Sequence, residues 1–375
     1  MLLSIRKFVA SPWGILSLAL CARLVVLLST TGVEYDITSY HLQALSVLLH
    51  RNVYLFTGRY PYPPVWIWLV TLAQVGANAT SLPFVWLVKI PGLLGDCLII
   101  LLLQRYVSRE AARFYALNPI AILVTAGHGQ FDGFVIGLAM LSWVFLRKAR
   151  HADVHVAALT LGGAIALKGY PVLLFPALLK TISQKKQRWL AIVLALLPLV
   201  IACLIYSALF GFVKEMITSV LTHGSPTDFG WSLLTTSLLK FFVPSRVTQV
   251  MDLLGIITRA IIVLLACVFP WRWRSWPVER LWLVTLFSFY FLSPGVSVQY
   301  LIWVLPLFAV VDRKLGWVFT VFSTLVALMF YLTVFPGAVP GGTIVSSLAP
   351  RYIWQTWYLA TDFVWWLICW HIFFK

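Results

Sequence analysis

Only twelve Asp and Glu residues occur among 375, so each acidic side chain can be weighed by its place and neighbours. Glu34 and Asp36 stand in Glu34-Tyr35-Asp36, just after a long apolar run. Two carboxylates two residues apart, emerging from a membrane helix, suit a general base or a ligand of a metal-bound phosphate. The same residues also suit a plain helix start, with Asp36 or Thr38 as the cap. Asp132 closes Gly127-His128-Gly129-Gln130-Phe131-Asp132-Gly133. That turn packs an imidazole, an amide and a carboxylate together, and its glycines let backbone approach a ligand closely. The competing reading is a capped hairpin turn. Lys168, in Lys168-Gly169-Tyr170-Pro171, is a cation at a helix break. It is suited to hold a lipid phosphate, or else to snorkel to the interface. Lys89 and Asp96 lie two helical turns apart on one face, which reads as an ion pair inside the membrane. A phosphate-binding Lys89 is the alternative.

The elements that must position these groups are membrane helices. Hydrophobic residues make up 61% of the chain, charged residues 11%, and the mean hydropathy is +0.92. A soluble domain carries about a quarter charged residues, so a soluble globule is excluded. Eighteen Trp and fourteen Tyr supply aromatic belts for two interfaces. The net charge of +16 is scattered along the chain, which argues for topogenic loops and against nucleic acid. Cys21, Cys97, Cys203, Cys267 and Cys369 each fall in an apolar run, without metal-ligand spacing, and predict neither a disulfide nor a zinc site. Arg6 and Lys7 ahead of an apolar stretch read as a retained signal anchor.

Runs of about 20 apolar residues, set against Lys/Arg loops, predict an all-α polytopic bundle of about twelve spans with both termini cytoplasmic. The spans are about 8–31, 82–104, 114–127, 133–147, 154–167, 170–182, 189–212 and 249–270, followed by four more to the C-terminus. Residues 1–375 read as one membrane domain, with the motifs concentrated in 1–182 and further helices in 183–375. An outer loop, 32–81, carries two interfacial helices, near 37–50 and 60–75. On this topology Glu34, Asp36, Asp132 and Lys168 share the outer side. His223, Gln299, Tyr300 and Arg351 join them there, while Glu110, Asp153, Glu279 and Asp312 trim basic inner turns. Asn78-Ala79-Thr80 is an outer-side glycosylation sequon.

At this point a resemblance enters. An acidic-x-acidic pair in the first outer loop is the signature of the GT-C superfamily of glycosyltransferases, and here it is Glu34-Tyr35-Asp36. The loop continues through Tyr40 and Ala44 to Gly58-Arg59-Tyr60-Pro61-Tyr62-Pro63-Pro64. That order is similar to the GPI-anchor first mannosyltransferase and to GT87-type mannosyltransferases. Asn118-Pro119-Ile120-Ala121-Ile122-Leu123 with His128-Gly129-Gln130-Phe131-Asp132 resembles the Asn-Pro and His-Gly-His-Phe-Gln motif of N-glycan-precursor glucosyltransferases, without its second histidine. The likeness covers about residues 10–180; beyond it only Ser293-Pro294, Gln299-Tyr300 and Pro306 look familiar.

The resemblance implies an inverting hexosyltransferase with a polyprenyl-phosphate-sugar donor, mannose being the first choice. The acceptor would be a glycolipid, a glycan or a protein. Asp36 matches the position of the family's catalytic base. Glu34 or Asp132 would orient the acceptor, and Lys168 or Arg351 would face the leaving lipid phosphate. His128, Gln130, Tyr170, Gln299 and Tyr300 would line the substrate site. No cofactor is implied; a divalent metal is compatible with the carboxylates, though no spacing demands one. The expected membrane is a prokaryotic plasma membrane, or the endoplasmic reticulum in a eukaryote, with the site on the outer or lumenal face. A transporter or lipid flippase is the competing reading. It would place ionisable groups near the midplane, for which Lys89 and Asp96 are candidates, and broken helices at matching positions in two halves.

Overall fold

The computed structural model describes residues 11–148, 151–222, 242, 245, 247–293, 295–345 and 353–374. Among them the regular elements are helices, as expected of a polytopic membrane bundle. Four are long and apolar enough to cross a membrane: Phe84–Tyr106, Lys185–Phe210, Val247–Arg272 and Arg313–Val334. At 1.5 Å per residue they run about 33–39 Å, against a hydrocarbon core of about 30 Å.

In chain order the fold opens with α1 (Pro12–Leu28), α2 (Glu34–Leu48), α3 (Val65–Thr80), α4 (Phe84–Tyr106) and α5 (Arg109–Ala116). Then come α6 (Pro119–His128), α7 (Asp132–Lys148), α8 (His151–Leu167), α9 (Tyr170–Lys180) and α10 (Lys185–Phe210). The last are α11 (Lys214–Thr222), α12 (Val247–Arg272), α13 (Val278–Leu292), α14 (Val298–Val311), α15 (Arg313–Val334) and α16 (Ile353–Phe374).

Local chemistry sets the boundaries. Ser11 caps α1 by accepting from the Gly14 amide. Ser108 accepts from Ala111, and Asn118 from Ile120. These two caps split the expected 114–127 span: α5 is a short amphipathic helix and the apolar α6 starts only at Pro119. The prolines of Pro61-Tyr62-Pro63-Pro64 disfavour helix in the residues ahead of them. The helix expected over 60–75 therefore starts at Val65 and runs on to Thr80.

The centre of the motif-rich half is a close contact between α4 and α7, with α8 packed on the far side of α7. Backbones approach so closely here that a Cβ at Gly95 would lie 2.2 Å from the Phe134 amide nitrogen and 2.3 Å from the Gly133 carbonyl. Small residues at such an interface allow the backbones to touch, where lipid gives helices no hydrophobic reason to associate.

The structure corrects one expected pair. Asp96 is fully buried, but its partner is Arg23 of α1, whose Nε donates to Oδ2 at 2.6 Å. Tyr115 donates to Oδ1 at 2.7 Å. Lys89 donates instead to the Thr30 hydroxyl at 3.0 Å. Two helical turns put Lys89 and Asp96 on one face but about 10.5 Å apart along the axis, out of reach of each other.

Candidate active site

The site begins where α1 ends. Gly32 takes a positive φ of 82°, which turns the chain so that Val33 donates its amide to the His128 carbonyl at 3.0 Å. Val33 then caps α2 without a side-chain bond. Asp36 consequently falls inside the first turn of α2 and is no helix cap. Its charge sits favourably at the positive end of the helix, and its side chain is free for other partners.

The second strand of the site comes from α6. Its last turn, Leu123–His128, is a π-helix, an arrangement often found at functional sites. Gly129, with φ at 93°, reverses the chain, and α7 starts three residues later at Asp132. The π turn and the glycine aim His128 and Gln130 toward one point, the carboxylate of Asp36.

Asp36 Oδ2 accepts from His128 Nε2 at 2.6 Å and from Gln130 Nε2 at 2.6 Å. The Gln130 amide is oriented in turn, because its Oε1 accepts from the Tyr40 hydroxyl at 3.1 Å. His128 Nδ1 meets the Tyr331 hydroxyl of α15 at 2.8 Å. Both polar partners crowd onto Oδ2, and none of the hydrogen bonds among the described residues engages Oδ1. The Asp36 side chain is 22% exposed. Burial pushes its acidity constant up, but His128, the Gln130 amide and the charge of Lys168 outweigh it and hold the carboxyl below its ordinary range. Burial, and then the charge of Asp36, push the Tyr40 and Tyr62 phenols well up, so both stay protonated.

A second buried cluster lies beside the first. Lys168 Nζ donates to both oxygens of Asp132, at 3.0 and 2.8 Å, and Trp303 Nε1 donates to Oδ1 at 2.6 Å. The rings of Phe131, Tyr62 and Tyr300 surround the ammonium at 5.1–5.7 Å. Tyr170 stacks on Trp303 with ring centres 3.6 Å apart.

Two cavities adjoin these clusters. One, of about 660 Å³, is lined by Asp36, His128, Gln299 and Tyr300 together with Tyr35, Ser39, Gln43 and Arg59. The other, of about 740 Å³, is a largely apolar groove that runs along α12 and reaches Lys168, Tyr170, Trp303 and Arg259. Pro61, Tyr62 and Tyr300 line both and form the wall between them. The arrangement offers a partly exposed carboxylate on one side and a largely apolar groove with two cations, Lys168 and Arg259, on the other.

The residues singled out from the sequence divide accordingly. Asp36, His128, Gln299 and Tyr300 line the polar cavity, with Gln130 buried behind Asp36, and Lys168, Tyr170 and Tyr300 line its apolar neighbour, with Asp132 buried behind Lys168. Glu34 is exposed and lines neither cavity. Arg351 and His223 lie outside the described residues. Among the described residues no three His, Cys, Asp or Glu side chains cluster as metal ligands.

Sequence reasoning passed over Trp303 and Tyr331, which carry no individual signal in a chain so rich in aromatics, and named Tyr40 and Tyr62 only as members of the first-loop motif. It also passed over Arg23 and Arg259. Those two had a signal, since each is the single charge within a long apolar run and such groups face a bundle interior or a cavity.

No family model matches this chain, and no curated protein matches it by sequence. Among solved structures it is similar to ArnT from Cupriavidus metallidurans bound to undecaprenyl phosphate. The TM-score is 0.52 at 15% identity, over 96% of this chain and 76% of that one. The apo state of the same protein is equally similar, with a TM-score of 0.52 at 15% identity, over 96% and 75% of the two chains. At that identity the likeness speaks for the fold: an ArnT-like, polytopic helical membrane fold.

Proposed function

We propose that this chain is a membrane glycosyltransferase of the GT-C type that takes a sugar from a polyprenyl-phosphate donor. The observation that carries the reading is the placement of Asp36. Its Oδ2 is fixed by His128 and Gln130, and it fronts a polar cavity that shares Pro61, Tyr62 and Tyr300 with an apolar groove. A lipid-linked donor needs both environments side by side: a channel for the prenyl chain and a polar cavity where a base meets the acceptor. The shared fold with ArnT, a GT-C glycosyltransferase solved with undecaprenyl phosphate bound, supports the donor class.

In this reading the acceptor hydroxyl enters from the cavity of Tyr35, Ser39, Gln43 and Arg59. Its oxygen attacks the anomeric carbon while Asp36 Oδ1 takes the proton. The bond from that carbon to the phosphate oxygen breaks, the lipid phosphate leaves with the electron pair, and the anomeric centre inverts. Arg259 and Lys168, on the groove, favour the charge that grows on the leaving phosphate. Asp132 acts through Lys168, which it holds. Gln299, Tyr300 and Tyr170 shape the passage between the two cavities. Mannose is the first candidate for the sugar, the acceptor is a lipid, glycan or protein, and the reaction takes place on the outer face of a prokaryotic plasma membrane.

The test is sugar transfer by reconstituted protein from polyprenyl-phosphate-mannose and polyprenyl-phosphate-glucose to a membrane lipid extract, with and without a chelator. Wild type transfers, and Asp36→Asn, which keeps the shape and removes the base, loses at least a hundredfold, in line with the roughly 10²–10⁴ of a general base. Transfer that survives Asp36→Asn discards Asp36 as base. No transfer from either donor discards the reading.

A further inference from the structure

Behind the base stands a group that lines neither of the two cavities. Tyr331 belongs to α15 and is fully buried. It does not line the space in front of Asp36, yet its hydroxyl lies 2.8 Å from His128 Nδ1. The imidazole is thus held at both nitrogens, by Tyr331 on one side and by Asp36 Oδ2 at 2.6 Å on the other. The two rings meet edge to face, with centres 5.6 Å apart at 88°.

A carboxylate can only accept, so Nε2 must carry a hydrogen. In a neutral ring the lone pair is then on Nδ1, where a phenol that donates stabilises just that tautomer. Without the phenol the ring is free to carry its hydrogen on Nδ1 and to turn a lone pair toward Asp36, which would repel the carboxylate and free it to rotate.

We propose that Tyr331 is a positioning residue for transfer: through His128 it keeps a hydrogen-bond donor on Asp36 Oδ2 and so reserves Oδ1 for the acceptor hydroxyl. This rests on the glycosyltransferase reading above. The relay is short and fully specified: α15 supplies Tyr331, the π turn of α6 supplies His128, and the first turn of α2 supplies Asp36. The other ionisable groups that face this carboxylate are Lys168 and the phenols of Tyr40 and Tyr62, with Arg59 on the cavity wall. None of them touches His128 Nδ1 among the described residues.

The experiment measures transfer from polyprenyl-phosphate-mannose or -glucose to membrane lipid extract as a function of pH. Tyr331→Phe, which keeps the ring against His128, lowers kcat about tenfold, the worth of one neutral hydrogen bond. It leaves both KM values within about twofold and moves the acid limb of kcat to higher pH, because Asp36 loses a donor that favours its charged form. In a His128→Asn background the same change adds no further loss, since the relay is already cut. Incorporation of 3-fluorotyrosine at position 331 keeps the fold and strengthens the donor, so the acid limb moves the other way. An unchanged acid limb in both Tyr331 variants, or additive losses with His128→Asn, overturns the proposal while leaving the glycosyltransferase reading intact. A wild type that transfers no sugar takes both away.

Discussion

Both carboxylate oxygens of Asp132 are taken by the ammonium of Lys168, at 3.0 and 2.8 Å, although the sequence offers the two residues as separate substrate contacts. Asp132 opens α7 and Lys168 follows the end of α8, so the pair ties together the adjoining ends of two adjacent helices. Their side chains are 0% and 7% exposed. An ion pair this far from solvent is costly to break from one side, because the partner is left as an uncompensated buried charge.

Asp132→Asn or Lys168→Met alone should therefore lower stability by about 3–5 kcal/mol. The double change Lys168→Met with Asp132→Leu should lose clearly less than the sum, since neither charge remains. Thermal unfolding of the detergent-solubilised protein measures this. Additive losses would mean that the two side chains stabilise the fold independently.

The pH profile follows from Asp36. Its carboxyl is held below the ordinary range, so the charged form is favoured by the fold. A group of this kind contributes stability above its unfolded value of about 3.9, and that contribution is lost as pH falls through the lower folded value. Transfer should keep its full rate through the neutral and weakly acidic range, with its acid limb below the ordinary carboxylate range. Gln130→Leu removes one of the two donors on Oδ2 and should move the limb upward. A wild-type limb near neutrality would assign the base elsewhere.

The reach of sequence reasoning can be judged on single residues. Helix positions were legible from the apolar runs, but their exact ends were not: the Ser108 and Asn118 caps split the span expected over 114–127, and the prolines around Tyr62 delay the next helix to Val65. Asp36, His128 and Gln130 were legible because an acidic residue, an imidazole and an amide in polar turns are rare in so apolar a chain. Their convergence on a single oxygen was not. Periodicity gives the face of a helix and says nothing of distance, which is why Lys89 and Asp96 look paired on paper and are about two turns apart. Tyr331 lies 203 residues from His128, and nothing in its apolar surroundings marks it out.

Arg259 tests the division of labour between the two cavities. It is exposed on the groove side of α12, where its Nε donates to the Gly255 carbonyl at 2.9 Å, and with Lys168 and Asp252 it is one of the charged groups in a largely apolar lining. In the proposed reaction it meets the donor phosphate in both ground and transition states. Arg259→Gln should raise the KM for the polyprenyl-phosphate donor about tenfold or more and leave the acceptor KM unchanged, as expected when a charge-assisted hydrogen bond is removed. Arg59→Gln, on the other cavity, should do the reverse. Equal effects of both variants on donor KM would show that the phosphate spans the Tyr62–Tyr300 wall.

The last test concerns Arg23 and Asp96, deep between α1 and α4. Beyond its bond to Asp96, the guanidinium donates through Nη1 to the Ala116 carbonyl at 2.7 Å, while Tyr115 donates to the other carboxylate oxygen. One ion pair thus joins α1, α4 and α5. A transporter would use such a pair as a carrier of protons or ions, with its charges free to exchange partners. A scaffold would keep it locked. Arg23→Met and Asp96→Leu combined remove both charges and preserve the apolar volume. A locked scaffold predicts that this double variant recovers most of the stability lost in Asp96→Asn, about 3–5 kcal/mol, and keeps transfer activity within a few-fold of wild type. A well-folded double variant with its activity abolished would instead make the buried pair part of the working cycle, and would return weight to transport.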